Sequence, residues 1–495
     1  MRHALVIFYS ICFLAVLASS AAVKLHIDGE RVWLEANRAP LRDVLKAFAH
    51  YGVNVQVDPD IGETVSLRIS NAPLEPSLRE MLDRYAYVLT WDVVPGPLGE
   101  ILRLSDMSVF RPGSRERARP LEEDTRLRVA RGPDGRGPEF VQDELLIGFS
   151  ADVSLDQIRL LLREIGGVIV EGYPELGIYR VRLPPGTHVL ALREQLARHP
   201  AVAEIEPNYV FREPAPHPVT SDGASASQTR TRLPPAGSAP VAVMDSGLLD
   251  VEGLDGLVAG GLDALMPTQA LSDPSGHGTQ MALITSGVVA PTGQASDDER
   301  AGVPILAVRT FDDEGMTTSF GLMRSLQFAV EQGARVVNMS WGSGVDSQFI
   351  ASAVAHAQSK GMVMVAAAGN EPLGQPVYPA AYPGVVAVGA IQQDGTPWPS
   401  SNFGDFITVS APGAASLPIG HNGPAGAYAG TSISSAYVSY ALGLYMQRHP
   451  SATPTQAVRA LQTAVSTENE TKRNDRTGYG VLDSAAIERL LQTKP

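Results

Sequence analysis

The chain has 495 residues, a formal net charge of −14, and 44% hydrophobic and 19% charged residues. That length suggests about three domains and excludes a single small module. The ordinary apolar content excludes a disordered chain, the glycines lack a triplet period, and an acidic balance gives nucleic acid no basic footprint to bind.

In chain order, Arg2 and His3 precede the apolar run Ala4–Ala22, which ends in small residues. Residues 1–22 therefore read as a secretory signal peptide, with cleavage expected after Ser20 or Ala22 and a secreted or periplasmic destination. An uncleaved membrane anchor is the competing reading. The one cysteine, Cys12, lies inside this run, so the exported chain is expected to hold no disulfide.

Residues 23–110 alternate β-type runs with two amphipathic segments. Leu41, Val44, Leu45 and Phe48 recur at helical spacing after Pro40, and Leu74, Leu78, Met81, Leu82 and Tyr85 do so after Pro73. Val53–Val57 and Val65–Ile69 alternate with period two, as half-buried strands do. This small α+β unit, with Val32–Ala36 and the Val-Asp-Pro-Asp run ending at Asp60, resembles the short N-terminal domain of secretins and TonB-dependent receptors. The resemblance implies a docking module for an envelope protein; a stabilising appendage without a partner fits the same pattern.

Residues 111–138, rich in Pro, Gly and Arg, read as a linker. In 139–213 the order is strand, helix, two strands, helix, strand, a ferredoxin-like arrangement. Ser154 and Gln157 fit a capping box, Leu155, Ile158, Leu161, Leu162 and Ile165 form a buried stripe, and Val202–Glu206 is the last strand. The ending Glu204-Ile-Glu-Pro-Asn-Tyr-Val210 resembles the close of a subtilase propeptide, which would make this domain an intramolecular inhibitor. Residues 214–236, rich in Pro, Ser, Ala and Thr, read as an exposed processing region.

Residues 237–495 alternate apolar strands, such as Val303–Val308 and Met362–Ala367, with helical segments, and the expected fold is an α/β doubly wound parallel sheet. Amide hydrolysis by a hydroxyl needs a base, a carboxylate to orient it and donors for the oxyanion. Asp245 ends the strand Val-Ala-Val-Met-Asp, His277 stands in Ser-Gly-His-Gly-Thr, and Ser432 in Gly-Thr-Ser-Ile opens a long apolar helix. Each tripeptide alone is ordinary turn or cap chemistry. Together, in the order Asp, His, Ser, they resemble the subtilisin-like serine proteases. The resemblance implies a catalytic triad of Asp245, His277 and Ser432, with Asn370 at the oxyanion. It implies substrate binding by Ser340, Trp341, Gly342, Gly369 and Val377, and peptide or protein substrates.

Departures from the family pattern fall beside the triad. Ala436-Tyr437 replaces Pro-His after the serine, and Leu283 stands where the helix after His277 usually carries glycine. Val377 stands at the expected base of the specificity pocket, often glycine in subtilisins, and predicts small to medium apolar residues there. The last domain holds no Lys or Arg between Leu233 and Glu299, which favours neutral or cationic substrate segments at low salt. The resemblance implies no required cofactor; for structural calcium the candidate carboxylates are Asp297-Asp298-Glu299 and Asp312-Asp313-Glu314. The expectation is an exported, self-processing serine endopeptidase zymogen. The alternatives are a catalytically idle docking protein of the envelope and a dedicated maturation protease of an envelope machine.

Overall fold

The structure is a computed structural model that describes residues 23–28, 31–96, 99–121, 127–219, 233–266, 269–294, 301–466 and 473–495. The expected signal segment with Cys12, most of the processing region and the Asp297–Glu299 run lie outside the described residues. The chain divides into two compact units. The first takes residues up to 126 with 151–172 and 181–184, and the second takes 127–150, 173–180 and 185–495.

The first unit opens with β1 (Lys24–Asp28) and β2 (Arg31–Pro40), then α1 (Leu41–His50), β3 (Asn54–Val57), β4 (Thr64–Pro73) and α2 (Leu74–Met81). The long strands β5 (Ala86–Gly96) and β6 (Gly99–Phe110) follow. One antiparallel sheet has the order β1-β2-β4; the other runs β5-β6-β3 and is extended by β7 (Arg119–Pro120). Both helices begin directly after a proline, whose fixed φ suits a helix entry and whose missing N–H costs nothing there. The expected stripe of α1 is fully buried, with Leu41, Val44, Leu45 and Phe48 at 0% exposure. The start of the stretch read as a linker is tied to this unit: β7 pairs with β3, and Arg117 forms ion pairs with Asp58 and Asp60.

Next come β8 (Val129–Ala130), β9 (Phe140–Phe149), α3 (Leu155–Ile165), β10 (Val168–Tyr173), β11 (Ile178–Arg182), α4 (Val189–Leu196) and β12 (Val202–Arg212). This is the chain order the sequence predicts. The capping box of α3 is made in both directions, Gln157 N donating to Ser154 Oγ and Ser154 N to Gln157 Oε1, and Gly166 closes the helix at φ 66°. The compact division nevertheless cuts this segment. Val168 packs on the first unit's core and Arg103 donates to the Val170 carbonyl, so α3 and most of β10 belong with that unit.

The remaining elements build the second unit. They are β13 (Val241–Asp245), β14 (Val258–Asp263), α5 (His277–Thr285), β15 (Ile305–Arg309), β16 (Met316–Thr318), α6 (Ser319–Glu331), β17 (Val336–Met339) and α7 (Gln348–Ser359). After them come β18 (Val363–Ala367), β19 (Val386–Ile391), β20 (Val409–Pro412), β21 (Ala414–Leu417), β22 (Gly426–Ala429), α8 (Thr431–Arg448), α9 (Pro454–Val465) and α10 (Ser484–Gln492). Seven strands form a parallel sheet in the order β14-β15-β13-β17-β18-β19-β20. Its two faces are buried by different helices. Val241 and Val243 of β13 join the core with α5, α8, α9 and α10, while Ala242 and Met244 join the core with α6 and α7. Burial on both faces explains why these strands are continuously apolar. The chain order reverses about β13, so the carboxyl end of that strand is a topological switch point, where open sheets form a crevice.

Strand β12 runs to Arg212, six residues beyond the end read from the sequence, because it pairs antiparallel with both β9 and β16. It also caps two helices. Glu206 accepts Ser347 Oγ at 2.6 Å and Gln348 N at 2.7 Å where α7 begins, and Asn208 Oδ1 accepts Phe320 N at 3.1 Å in the first turn of α6. A carboxylate at a helix start satisfies orphan N–H groups and meets the favourable end of the helix dipole. Glu206→Ala is expected to lower the unfolding free energy of the full chain by about 1–2 kcal/mol, the usual worth of such a cap. Urea unfolding checks it, and an unchanged midpoint would show that the cap carries no stability.

Candidate active site

Asp245 is the last residue of β13 and His277 the first of α5, and the two meet through close backbone approach. Gly247 sits at φ 135°, and a Cβ there would lie 1.7 Å from the Ser272 carbonyl oxygen. A Cβ at Gly278 would lie 2.4 Å from the Gly247 carbonyl oxygen. Only glycine fits either place, so the Asp-Ser-Gly turn and the first turn of α5 pack backbone to backbone. His277 Nδ1 then lies 2.7 Å from Asp245 Oδ1, which also accepts Ser246 N at 2.8 Å. Both side chains are buried.

A residue that the sequence reading passed over ties this corner together. Buried Asp273 accepts Ser246 Oγ at 2.7 Å and Gly276 N at 2.9 Å through Oδ1, and Thr279 N at 2.7 Å and Thr279 Oγ1 at 2.6 Å through Oδ2. Ser246 Oγ in turn accepts Gly278 N at 2.8 Å. The signal was present: Asp-Pro-Ser-Gly ahead of a helix is turn chemistry in which an aspartate supplies the cap.

Ser432 is the second residue of α8, a helix buried almost throughout, and its hydroxyl donates to the Ser340 carbonyl at 3.1 Å. Asn370 follows β18; its Oδ1 accepts Thr431 N at 2.9 Å and Thr431 Oγ1 at 2.8 Å. Those two bonds fix the amide and leave Nδ2 as its donor. His277, Asn370 and Ser432 line one crevice.

The expected substrate-binding residues gather nearby. Val377 fills the space between two glycines: a Cβ on Gly342 would lie 2.5 Å from Val377 Cγ1, and one on Gly369 3.5 Å from Val377 Cγ2. Trp341 is buried and stands edge-on to Phe211 and Phe311, at centroid distances of 6.2 and 6.3 Å. Ser340 Oγ accepts Asn338 Nδ2 at 2.7 Å, so it serves the buried network under α8. Of the calcium candidates, Asp312 Oδ1 accepts Glu314 N and Met316 N, while Asp313 pairs with Arg309. Asp312 thus serves a turn and Asp313 an ion pair, and among the described residues this run does not gather into a cluster that could hold a metal ion.

The crevice is filled by the chain itself. Beyond β12, Glu213 N donates to the Gly315 carbonyl at 2.8 Å, and Pro214, Ala215 and His217 line the crevice. Ala429 N then donates to the His217 carbonyl at 2.9 Å and Val219 N to the Ala427 carbonyl at 3.0 Å, along β22. About 20 Å³ stays open, room for about one water.

Glu213 points inward, its side chain 6% exposed. Its Oε1 accepts Ser275 Oγ at 2.6 Å and lies 3.1 Å from His421 Nε2, off the axis of the ring N–H, and 3.9 Å from His277 Nδ1. The rings of His277 and His421 are 4.6 Å apart. Neither Glu213 nor His421 stands in a motif, and nothing local in the sequence marks them.

These charges set the protonation of His277. Burial opposes its charged form, but the charge and hydrogen bond of Asp245, with Glu213 and Asp273 adding, raise it to about 9. Burial likewise disfavours the charge on Glu213, yet His421, His277 and Ser275 hold it below the ordinary carboxylate value. Burial pushes His421 down, against the pull of Glu213. The surrounding anions thus favour the charged form of His277, Asp245 most and Glu213 in addition. Glu213→Gln removes one of the anions that favour the proton, so the titration of His277 should move to lower pH. The imidazole proton resonances followed against pH check this, and an unmoved midpoint would mean that Glu213 does not couple to the ring.

Residues 239–480 match the family model described as the subtilase family, and residues 131–208 that of the fervidolysin N-terminal prodomain. The chain is 33% identical over 221 residues to thermitase of Thermoactinomyces vulgaris, covering 44% of this chain and 78% of that one. It is 31% identical over 247 residues to the minor extracellular protease Epr of Bacillus subtilis (strain 168), covering 50% of this chain but only 38% of Epr. Among solved structures, fervidolysin from Fervidobacterium pennivorans, titled a keratinolytic enzyme related to subtilisin, aligns with a TM-score of 0.57 and 22% identity. That alignment covers 72% of this chain and 62% of fervidolysin, and it is a likeness of fold.

Proposed function

The chain belongs to the subtilase family, and from that premise we propose that it is a serine endopeptidase made as a self-processing zymogen. The observation that carries this reading is the buried contact of 2.7 Å between Asp245 and His277, on a crevice that Ser432 and Asn370 also line. In the proposed reaction Ser432 Oγ attacks the peptide carbonyl carbon while its proton passes to His277. The ring later gives that proton to the leaving amine, and water repeats the sequence on the acyl-enzyme. Asp245 holds the Nδ1–H side of the ring and balances its charge. Asn370 Nδ2 and the backbone N–H of Ser432 serve the oxyanion, at a helix N-terminus of favourable sign.

The same residues account for an idle pro-form. Glu213 adds to Asp245 in favouring a charged ring, which takes no proton, and the Ser432 hydroxyl is turned to the Ser340 carbonyl, so both features disfavour attack while the segment is in place. Segment 139–213 is proposed as the inhibitor and 214–236 as the region cut. The prodomain match and the run of 213–219 through the crevice support this.

Val377, lying between Gly342 and Gly369, supports a shallow pocket and small to medium apolar residues at the cleaved bond. Export through residues 1–22 rests on the apolar run, with Epr named as extracellular. A docking role for residues 23–110, which neither family model covers, rests on its sequence pattern alone.

Ser432→Ala should leave the full chain at its exported length, whereas the unmodified chain shortens to a product that begins within or after 213–236. Mass and N-terminal sequencing of the purified proteins check it. A Ser432→Ala chain that matures to the same product on its own would overturn self-processing.

A further inference from the structure

Glu213 enters the crevice as a substrate residue would, and this inference rests on the protease reading above. Its backbone continues the antiparallel pairing of β12 with β16, and the chain then follows β22 past Ser432 and Asn370. Added-strand pairing fixes the backbone, and side-chain sites then choose among residues. The site that receives the Glu213 side chain is built from two polar groups: half-buried Ser275, whose Oγ donates at 2.6 Å, and His421, whose side chain is 4% exposed and whose Nε2 stands at 3.1 Å. Once the segment has gone, these groups face the crevice without their partner.

We propose that Ser275 and His421 form a carboxylate-reading subsite beside the catalytic histidine, so that the enzyme prefers peptide substrates with glutamate at the place of Glu213. The preference has a catalytic part as well as a binding part. When His277 accepts the proton of Ser432 it becomes an imidazolium, and a substrate carboxylate 3.9 Å from Nδ1 stabilises that charge as it forms. Below the pH at which His277 titrates, the same carboxylate holds the resting ring charged and slows attack. The preference is therefore expressed in alkaline solution. The acidity of the last domain runs the other way, but it acts at a distance and is screened by salt, whereas these contacts are direct and buried.

The test uses mature enzyme from the full chain and fluorogenic peptides spanning residues 209–219, with only position 213 varied among Glu, Gln, Ala and Lys. The assay is run above pH 9, the value to which His277 is raised with the Glu213 carboxylate in place. The glutamate peptide is expected to show kcat/KM about tenfold above the glutamine peptide, the lower end of the worth of a hydrogen bond to a charged group. That ratio should fall toward one in His421→Gln and in Ser275→Ala. Equal kcat/KM for Glu and Gln on the unmodified enzyme, or a glutamate preference that survives both substitutions, overturns the subsite. So does an enzyme that matures but leaves every one of these peptides uncut, since Glu213 would then not occupy a substrate's place. If the full chain with Ser432 never shortens and no peptide is cut, the protease reading fails and takes the subsite with it.

Discussion

The site depends on one contact, the buried pair Asp245–His277. Two charged groups lose their water there, and the loss is offset by their mutual attraction and by the hydrogen bonds gathered at Asp245 Oδ1 and Asp273. Ser246 N bonds to Asp245, Ser246 Oγ bridges to Asp273, and Asp273 holds the backbone at the start of α5. Gly247 and Gly278 allow the two turns to touch without Cβ atoms between them. With these in place the imidazole has one orientation, and its far side faces the crevice that Ser432 lines.

That arrangement makes the ring sensitive to further charge. In a buried site a carboxylate at 3.9 Å matters far more than it would in water, so Glu213 adds to Asp245 in favouring the charged form of His277. In the proposed chemistry the segment that fills the crevice would act in two ways, by lying along the substrate's path and by adding a charge that favours the protonated base. A charge that disfavours the resting base favours the transition state in which the base has taken its proton. The same interaction inhibits or assists according to pH.

The docking of β12 shows how strand pairing and helix capping act together. Pairing with β16 is directional but unspecific, because backbone groups carry no identity. Glu206 and Asn208 add the register: each reaches a particular helix start, and a slip of one residue would turn both away. Phe211 against Trp341 places an aromatic contact between them and Glu213.

Much of this was legible in the sequence. Periodicity located α1 with its buried stripe, Ser154 and Gln157 announced a capping box that forms, and continuous apolar strands foretold a sheet buried on both faces. The three short motifs named Asp245, His277 and Ser432, because a chemistry that needs a particular group leaves that group in a recognisable turn or helix start. Local signals end where partners are distant. The length of β12 is decided by β16, far along the chain. The fit of Val377 depends on two glycines from separate loops, and Asp273 works through atoms of Ser246 and Thr279. The division of 139–213 between two compact units follows from packing of Val168 and Val170, which no pattern in that segment reveals. By itself the sequence determined the elements and the doubly wound class, which follow from nearest-neighbour spacing and residue chemistry, and its motifs named the candidate reactive groups. Only the tertiary structure decided that Glu213 and His421 stand beside His277, because their meeting depends on where separately folded strands end in space.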